Sequence, residues 1–309
     1  MHTFDLNMLL APMTTDIFLA EHWPKKPLFI PADKKKLNTV LEISQLQDLE
    51  SVIAARTQKV RACLPDFDDE VSSIHLDAKD ALKAYNNNMT LVFDSMHLQD
   101  KTIANSLEKI RSELGLVTGG SENNLCKARS IVYATPAGCG TRLHFDANVN
   151  FIIQLHGSKR WVLAPNTSVE NPTERFTAGS FEMSAALEQQ CHAPLLDEVS
   201  EDSTEYLMTP GCVLFVPRGY WHETTTDEDS MSLNFTFSQP TWADVFTKSL
   251  QEHLLESADW RELADGLEST NASRQSKAKA RFEELVKSIS NEMSQISGAQ
   301  LLEKGRFLK

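Results

Sequence analysis

Residues 144–154 read His-Phe-Asp-Ala-Asn-Val-Asn-Phe-Ile-Ile-Gln. The second half, residues 149–154, is rich in β-branched and aromatic side chains, which is typical of a β-strand. Residues 156–159 (His-Gly-Ser-Lys) predict a hairpin turn, and residues 160–163 (Arg-Trp-Val-Leu) predict the strand that follows it. This stretch therefore predicts a sheet built from short strands that are close together in sequence.

A second run of short strands lies further along the chain and ends near His222. Residues 209–211 (Thr-Pro-Gly) predict a turn, and residues 212–216 (Cys-Val-Leu-Phe-Val) predict a short buried strand. Residues 217–219 (Pro-Arg-Gly) interrupt that strand just before His222, and residues 231–237 alternate apolar and polar side chains over a further strand. His222 is therefore expected at the end of a strand.

Three side chains in these two runs could bind a metal. On a strand, residues two apart point to the same side, so His144 and Asp146 are expected to project together. Two imidazoles and one carboxylate can occupy one face of an octahedral metal and leave three positions open, as in the facial triad of non-haem Fe(II) oxygenases. The alternative is that His-x-Asp arises by chance and that His222 is an ordinary surface or core histidine.

These residues resemble the JmjC-type branch of the cupin superfamily, the Fe(II)- and 2-oxoglutarate-dependent oxygenases. Residues 16–30, with the stretch Trp-Pro-Lys-Lys-Pro, resemble the opening segment of the ribosomal oxygenases in that branch. Thr90–Phe93 followed by a helical pattern over residues 103–116 resembles their region before the barrel. Residues 130–146 resemble the approach to their metal-binding strand, so the resemblance covers roughly residues 16–240.

The resemblance implies an α+β fold with a double-stranded β-helix, the jelly-roll or cupin barrel. We expect an N-terminal α/β region over residues 1–125 that supports the barrel. The barrel itself is expected over residues 126–240. Residues 241–309 are expected to form a C-terminal helical region.

The resemblance also implies the roles of the site residues. His144, Asp146 and His222 would hold Fe(II), and 2-oxoglutarate would chelate the iron through its keto-acid end. Its distal carboxylate needs a cation inside the barrel, and a buried cation without such a partner would be costly. Lys159 occupies the family position for this cation. Arg160 is the neighbouring alternative, because strand alternation alone does not decide which of the two faces inward.

Three polar residues are weaker candidates for binding the co-substrate. Thr141 resembles a hydroxyl that helps to bind the same carboxylate in the asparaginyl-hydroxylase relatives, although the ribosomal oxygenases often have a bulky residue there. Asn150 and Asn234 match polar positions inside the barrel of those relatives. Both could equally be buried amides that satisfy strand ends.

Composition is that of a soluble globular protein. Of 309 residues, 41% are hydrophobic and 24% are charged, and no stretch approaches the roughly 18 to 20 apolar residues that span a bilayer. The N-terminus lacks a basic segment followed by an apolar run, so we expect no signal peptide and a cytoplasmic location. Five scattered cysteines form no Cys-x-x-Cys pair and favour reduced thiols: Cys63, Cys126, Cys139, Cys191 and Cys212.

The net charge of −13 and the pI near 5.2 argue against nonspecific nucleic-acid binding, because the phosphate backbone would be repelled. Acidic residues cluster over residues 197–205 and 227–229. Either cluster could recognise a basic protein such as a ribosomal one. The alternative is that both are solvated loops.

After Pro240 the pattern changes to helices, predicted over residues 242–255, over residues 259–267 and from about Ser276. The last helix carries an apolar stripe, which either packs on the barrel or forms a homodimer interface: Phe282, Leu285, Val286, Ile289, Met293 and Ile296. The ribosomal oxygenases carry a dimerisation region and a winged-helix domain after the barrel. Residues 241–309 are short for both, so this tail departs from their pattern.

Three functions fit the sequence. The first is hydroxylation of a side chain in a basic or ribosomal protein, which the acidic clusters and the large N-terminal region favour. The second is the same chemistry on a small molecule or a short peptide. The third is a non-catalytic cupin-type binding module, which a complete triad and Lys159 disfavour. Demethylation would need an aromatic cage, and Tyr133, Trp221 and Trp242 are each easier to explain as packing residues.

Overall fold

A computed structural model describes residues 3–64, 72–117, 127–180 and 182–307. The chain divides into two compact units, one made of residues 1–116 and 127–238 and the other of residues 117–126 and 239–309. The N-terminal region and the expected barrel thus form one unit, and a domain boundary at residues 125–126 stays a prediction. Cys126 lies outside the described residues.

The first unit opens with helices that alternate with short strands. In chain order these elements are α1 (Leu6–Leu10), α2 (Thr15–Glu21), β1 (Leu28–Ile30), α3 (Lys34–Leu41), α4 (Leu49–Ala55), β2 (Val60–Cys63), β3 (Ser73–Leu76), α5 (Ala78–Tyr85), β4 (Thr90–Phe93) and α6 (Lys101–Glu113). Five of the helices begin at an Asp or Thr whose side chain accepts a hydrogen bond from a backbone N–H of the first turn, namely α1 at Asp5, α2 at Thr14, α3 at Asp33, α4 at Asp48 and α6 at Asp100.

The barrel follows in the same unit. Its elements are β5 (Lys127–Thr135), β6 (Gly140–Phe145), β7 (Val149–His156), β8 (Lys159–Ala164), β9 (Phe176–Thr177), α7 (Ala185–Gln190), β10 (Thr204–Met208), β11 (Val213–Val216), β12 (Trp221–Thr225) and β13 (Ser230–Ser238). The strands predicted over residues 149–154, 160–163, 212–216 and 231–237 are confirmed as β7, β8, β11 and β13, with ends that differ by one or two residues.

The strands form two antiparallel sheets. One has the order β1-β11-β7-β13-β5-β4-β2-β3, and the other has the order β10-β8-β12-β6-β9. Within the barrel, β5, β7, β11 and β13 belong to the first sheet, while β6, β8, β10 and β12 belong to the second. This exchange of consecutive strands between two sheets is the jelly-roll arrangement, and it confirms the predicted fold. Strands β2, β3 and β4 extend the first sheet beyond the barrel.

The central strands of the first sheet are buried on both faces. In β7, Phe151, Ile153 and Leu155 pack in the large apolar cluster beneath the N-terminal helices, while Asn150 on the opposite face lines a cavity. Phe18 of α2 closes the apolar side, with its ring centroid 5.8 Å from that of Phe151. Burial on both faces explains why β7 lacks the simple alternation of a half-exposed strand.

The turn between β7 and β8 is confirmed and depends on Gly157. This residue has a φ of +59°, and a Cβ added there would lie 1.9 Å from the backbone oxygen of Asp229. A side chain is therefore excluded by both backbone conformation and close approach. The turn fixes the register that brings Lys159 onto β8.

The second unit contains α8 (Trp242–Leu254), α9 (Ala272–Met293) and α10 (Gly298–Lys304). The helix predicted over residues 259–267 is wrong: only Asp259–Arg261 forms a single turn, Glu262 leaves helical geometry with a ψ of 149°, and Gly266 has a φ of +86°. The last long helix starts earlier than predicted because the side chain of Asn271 accepts hydrogen bonds from two backbone N–H groups of its first turn.

The apolar stripe of α9 remains exposed or half-buried in the single chain. The helix has no buried residue among those whose burial is described, and Phe282 is 56% exposed. Among the described residues, no helix combines the length and the apolar character that crossing a membrane would require.

Candidate metal centre

The three predicted ligands come together at the ends of two paired strands. His144 is the next-to-last residue of β6, Asp146 follows that strand directly, and His222 is the second residue of β12. Strand β12 pairs with β6 so that His222 lies opposite His144. One potential ligand atom from each of the three residues lies within 4.8 Å of the other two. The structure therefore brings the three side chains together, and their role as metal ligands stays a prediction.

The backbone holds both histidine rings in a defined orientation. Nδ1 of His144 lies 2.7 Å from the backbone oxygen of Arg142, and Nδ1 of His222 lies 2.9 Å from that of Tyr220. Each Nδ1–H can therefore donate to a carbonyl, which leaves the lone pair of Nε2 for a metal. Nε2 of His222 lies 3.8 Å from Oδ2 of Asp146.

Burial favours the neutral form of both histidines. It lowers the pKa of His144 well below its usual value, and the charges of His222 and Arg175 act in the same direction. Burial also lowers the pKa of His222, although the Asp146 carboxylate opposes this shift. A metal ligand must be a neutral imidazole, so the protonation state fits a divalent cation held by two nitrogens and one oxygen.

A cavity of about 170 Å³ adjoins the three ligands and is lined by residues of both sheets. Lys159 reaches into it from the start of β8 and is buried, and its Nζ donates a hydrogen bond of 2.7 Å to Oγ1 of Thr135. The next residue, Arg160, is exposed and contacts Glu205. The structure thus places Lys159 in the cavity and Arg160 outside it.

The three weaker candidates also line this cavity. The hydroxyls of Thr141 and Thr224 lie 2.6 Å apart. Asn234 accepts a hydrogen bond from Ser232 at 3.1 Å, so it has a partner on its own strand.

Asn150 has contacts on both sides of its amide. Its Nδ2 lies 3.5 Å from Oδ2 of Asp146, and its Oδ1 accepts a hydrogen bond of 2.7 Å from Thr236. The first contact directs Asn150 toward the Asp146 carboxylate. Its place beside a predicted metal ligand was not anticipated from the sequence.

Two further residues of the centre were missed. Trp161 stacks on His222, with ring centroids 5.7 Å apart and an interplanar angle of 19°. The alternation of β8 could have identified it, because it is two residues after Lys159. Nε of Arg175 lies 3.9 Å from Oδ1 of Asp146. No periodic pattern in the sequence marks Arg175.

The acidic clusters are exposed and are not part of the described lining of the cavity. Besides Glu205, which contacts Arg160, two more of their carboxylates take part in local structure. Glu228 accepts a hydrogen bond of 2.7 Å from the hydroxyl of Ser158, and Asp229 accepts one of 2.9 Å from the backbone N–H of Ala137. Recognition of a basic partner by these clusters stays a prediction.

Comparison with known proteins agrees with the fold and the site. The family model described as the JmjC domain matches residues 120–245. The chain is 29% identical over 308 residues to the uncharacterised protein YxbC of Bacillus subtilis, with 96% of this chain and 90% of that protein covered. It is 23% identical over 270 residues to ribosomal oxygenase 2 of Bos taurus, with 81% and 51% covered.

The chain spans about half the length or less of the ribosomal oxygenases that it matches. For example, its match to ribosomal oxygenase 1 of Gallus gallus, at 25% identity over 271 residues, covers 41% of that protein. Its fold is similar to the X-ray structure of Escherichia coli ycfD, with a TM-score of 0.51 and 15% identity, covering 89% of this chain and 68% of that one. The family model thus identifies residues 120–245 as a JmjC domain, the domain of the Fe(II)- and 2-oxoglutarate-dependent oxygenases in the cupin superfamily.

Proposed function

We propose that this chain uses Fe(II) and 2-oxoglutarate to hydroxylate a side chain of a protein substrate. The observation that carries the proposal is the convergence of His144, Asp146 and His222 in the lining of a cavity that the buried Lys159 also lines. Two neutral imidazoles and one carboxylate are a ligand set that suits Fe(II) and leaves positions open. A buried lysine suits the distal carboxylate of the co-substrate.

In this proposal each residue has a defined task. His144, Asp146 and His222 hold the iron, which when bound supplies the oxidation of a C–H bond by oxygen coupled to the decarboxylation of 2-oxoglutarate. Lys159 binds the distal carboxylate of the co-substrate, with Thr135 orienting its ammonium group. Trp161 packs against His222 and limits the access of water to this side of the ligands.

Thr141, Asn150 and Asn234 are proposed to complete the co-substrate site, with different support for each. Thr141 and its partner Thr224 offer hydroxyls on the sheet that carries Lys159. Asn234 lies on the opposite sheet and offers an amide to the same cavity. Asn150 contacts Asp146, so we propose that it supports the metal carboxylate as well as the co-substrate.

A protein substrate is favoured by the relatives, several of which are named ribosomal oxygenases or histidyl-hydroxylases. The exposed acidic clusters suit a basic or ribosomal protein. Hydroxylation is favoured over demethylation because, apart from histidine rings, the only aromatic side chains in the described lining are Tyr133 and Trp161. Trp161 is already stacked on His222, so the lining offers no cage for a methylated cation.

The proposal is tested with protein prepared without oxygen. Fe(II) and 2-oxoglutarate are added, and succinate is measured after exposure to air. We expect uncoupled turnover in the wild type and its loss, together with loss of metal, in Asp146→Ala and His144→Ala. Asp202→Ala, an exposed acidic residue, serves as the matched control. Turnover in Asp146→Ala equal to that of the control would exclude the proposed ligand set.

The substrate class is tested by mass spectrometry of host proteins. Cells with the wild-type gene are compared with cells that carry Asp146→Ala, and peptides that gain one oxygen atom only in the first are identified. A modified side chain in a basic protein is the expected result. Succinate formation without any modified protein would favour the small-molecule or short-peptide alternative.

We also propose a cytoplasmic homodimer that pairs through the C-terminal helices. The support is the exposed apolar stripe of α9, where Phe282 and Val286 lie one turn apart. Light scattering during gel filtration should give a dimer for the wild type and a monomer for Phe282→Arg with Val286→Arg. A monomeric wild type would remove the proposed dimer without affecting the iron site.

A further inference from the structure

Arg175 lies directly across from the metal carboxylate. The two-residue strand β9 pairs with β6 so that Thr177 lies opposite His144 and Phe176 lies opposite Phe145. Because the strands are antiparallel, the next pair in this register is Arg175 and Asp146. The sheet therefore presents a guanidinium to the predicted ligand from its neighbouring strand.

Packing holds β9 in this register. The ring of Phe176 stacks on that of Phe145, with centroids 6.1 Å apart, and meets the buried Trp221 edge-on at 6.3 Å. The backbone N–H of Ala178 donates to the carbonyl of Leu143 at 2.8 Å and extends the pairing beyond the strand. The ring contacts of Phe176 and the hydrogen bond of Ala178 therefore hold the backbone on either side of the strand and fix the position of the preceding Arg175.

The two oxygens of Asp146 face different partners. Oδ1 lies 3.9 Å from Nε of Arg175. Oδ2 lies 3.8 Å from Nε2 of His222 and 3.5 Å from Nδ2 of Asn150. Oδ2 therefore lies beside His222 and Asn150, while Oδ1 faces the guanidinium of Arg175.

We propose that Arg175 is a positioning residue that engages Oδ1 of Asp146 and leaves Oδ2 as the single carboxylate ligand of the metal. A carboxylate that chelates through both oxygens would take a second coordination position, and the proposed reaction needs three positions for co-substrate and oxygen. Residues around the ligands commonly orient them in this way, and their removal costs about 10-fold to 100-fold in metal affinity. The inference rests on the proposed function, because it takes Asp146 to be a metal ligand.

The neighbouring loop offers a matched control. Nε of Arg218 donates to the carbonyl of Pro172 at 2.7 Å, and its Nη2 donates to that of Asn171 at 2.9 Å. Arg218 thus ties down the segment that leads to Arg175. Arg218→Gln removes a guanidinium that contacts the same segment and keeps the one beside Asp146.

The test uses Co(II) as the probe on the full chain without co-substrate. The dissociation constant and the visible absorption of bound Co(II), which reports its coordination number, are measured for the wild type, Arg175→Gln, Arg175→Lys and Arg218→Gln. We expect Arg175→Gln to weaken binding by about 10-fold or more and to change the spectrum. Arg175→Lys should recover most of both properties, and Arg218→Gln should match the wild type.

Each other outcome has a meaning. Wild-type affinity and spectrum in Arg175→Gln would overturn the inference, and so would tighter binding, which would show that the guanidinium only repels the metal. An equal loss in Arg218→Gln would assign the effect to the loop. Circular dichroism of the metal-free variants shows whether they fold, and Arg175→Met, which also removes the charge from a long side chain, carries the test if Arg175→Gln does not fold. If the wild type itself binds no Co(II), the proposed function fails instead.

Discussion

The barrel unit and the C-terminal unit use apolar residues in opposite ways. In the barrel unit, eight of the nine residues of β13 are buried, and Phe18, Phe151 and Phe215 form one packed group. In the C-terminal unit, Trp242 is 82% exposed and Leu263 is 91% exposed. A site that positions ligand atoms within a few ångströms needs the first kind of packing. The second kind leaves apolar surface available for another molecule.

The largest effect is expected from the removal of a core ring in the barrel unit. Phe18 is fully buried, and its ring centroid lies 5.1 Å from that of Phe215. We expect Phe18→Ala to lower the free energy of unfolding of the barrel unit by about 3–5 kcal/mol, because the lost transfer free energy adds to a cavity. Urea titration followed by tryptophan fluorescence measures this loss. A change below about 1 kcal/mol would contradict the packing described for the N-terminal helices.

The next effect concerns two neighbours within the barrel unit. Lys159 is buried in the cavity, whereas Arg160 is exposed. We expect Lys159→Ala to raise the KM for 2-oxoglutarate about 30-fold or more, because truncating one partner of a buried charge pair costs about 2–5 kcal/mol. Arg160→Ala should leave the KM unchanged, since an exposed ion pair contributes little. Equal effects of the two variants on the KM would refute the assignment of Lys159.

Strand alternation explains how much of this site could be predicted. The period of two places His144 and Asp146 on one side of a strand, and the family position selects Lys159. The same period allows either Lys159 or Arg160 to face inward, so the sequence alone leaves that choice open. The decision comes from β10, whose pairing with β8 brings Glu205 within reach of Arg160 on the outer side.

Other features depend on contacts that no local pattern records. Arg175 comes before a strand of only two residues, which is too short to show any periodicity. Its role follows from the register between β9 and β6, a pairing between distant parts of the chain. The prediction of a helix over residues 259–267 was wrong because of the local backbone rather than a distant contact. The backbone there leaves helical geometry at Glu262 and Gly266.

The pH dependence of the metal-free protein offers a smaller effect. Burial lowers the pKa of His144 and His222 in the folded chain, so the unfolded chain binds more protons below about pH 6.5. The free energy of unfolding should therefore rise with pH below about pH 6.5. The contribution of the two histidines should be fully present above that pH and should be lost as the pH falls. Each histidine contributes at most about 1.4 kcal/mol per pH unit. Urea titrations at pH 5 to 7.5 should show a shallower slope for His144→Gln than for the wild type, and equal slopes would contradict it.

The smallest change in the free energy of unfolding is expected in the C-terminal unit, in contrast to Phe18 in the barrel unit. Phe282 lies on the exposed stripe of α9, so Phe282→Ala removes few contacts within its own chain. We expect the free energy of unfolding of the monomer to change by no more than about 0.5 kcal/mol, as for other surface substitutions. If the stripe pairs two copies, the same variant should weaken the dimer and lower the unfolding midpoint only at high protein concentration. A midpoint that falls equally at all protein concentrations would show that Phe282 stabilises its own chain. The two units would then differ less in packing than the exposure of Phe282 indicates.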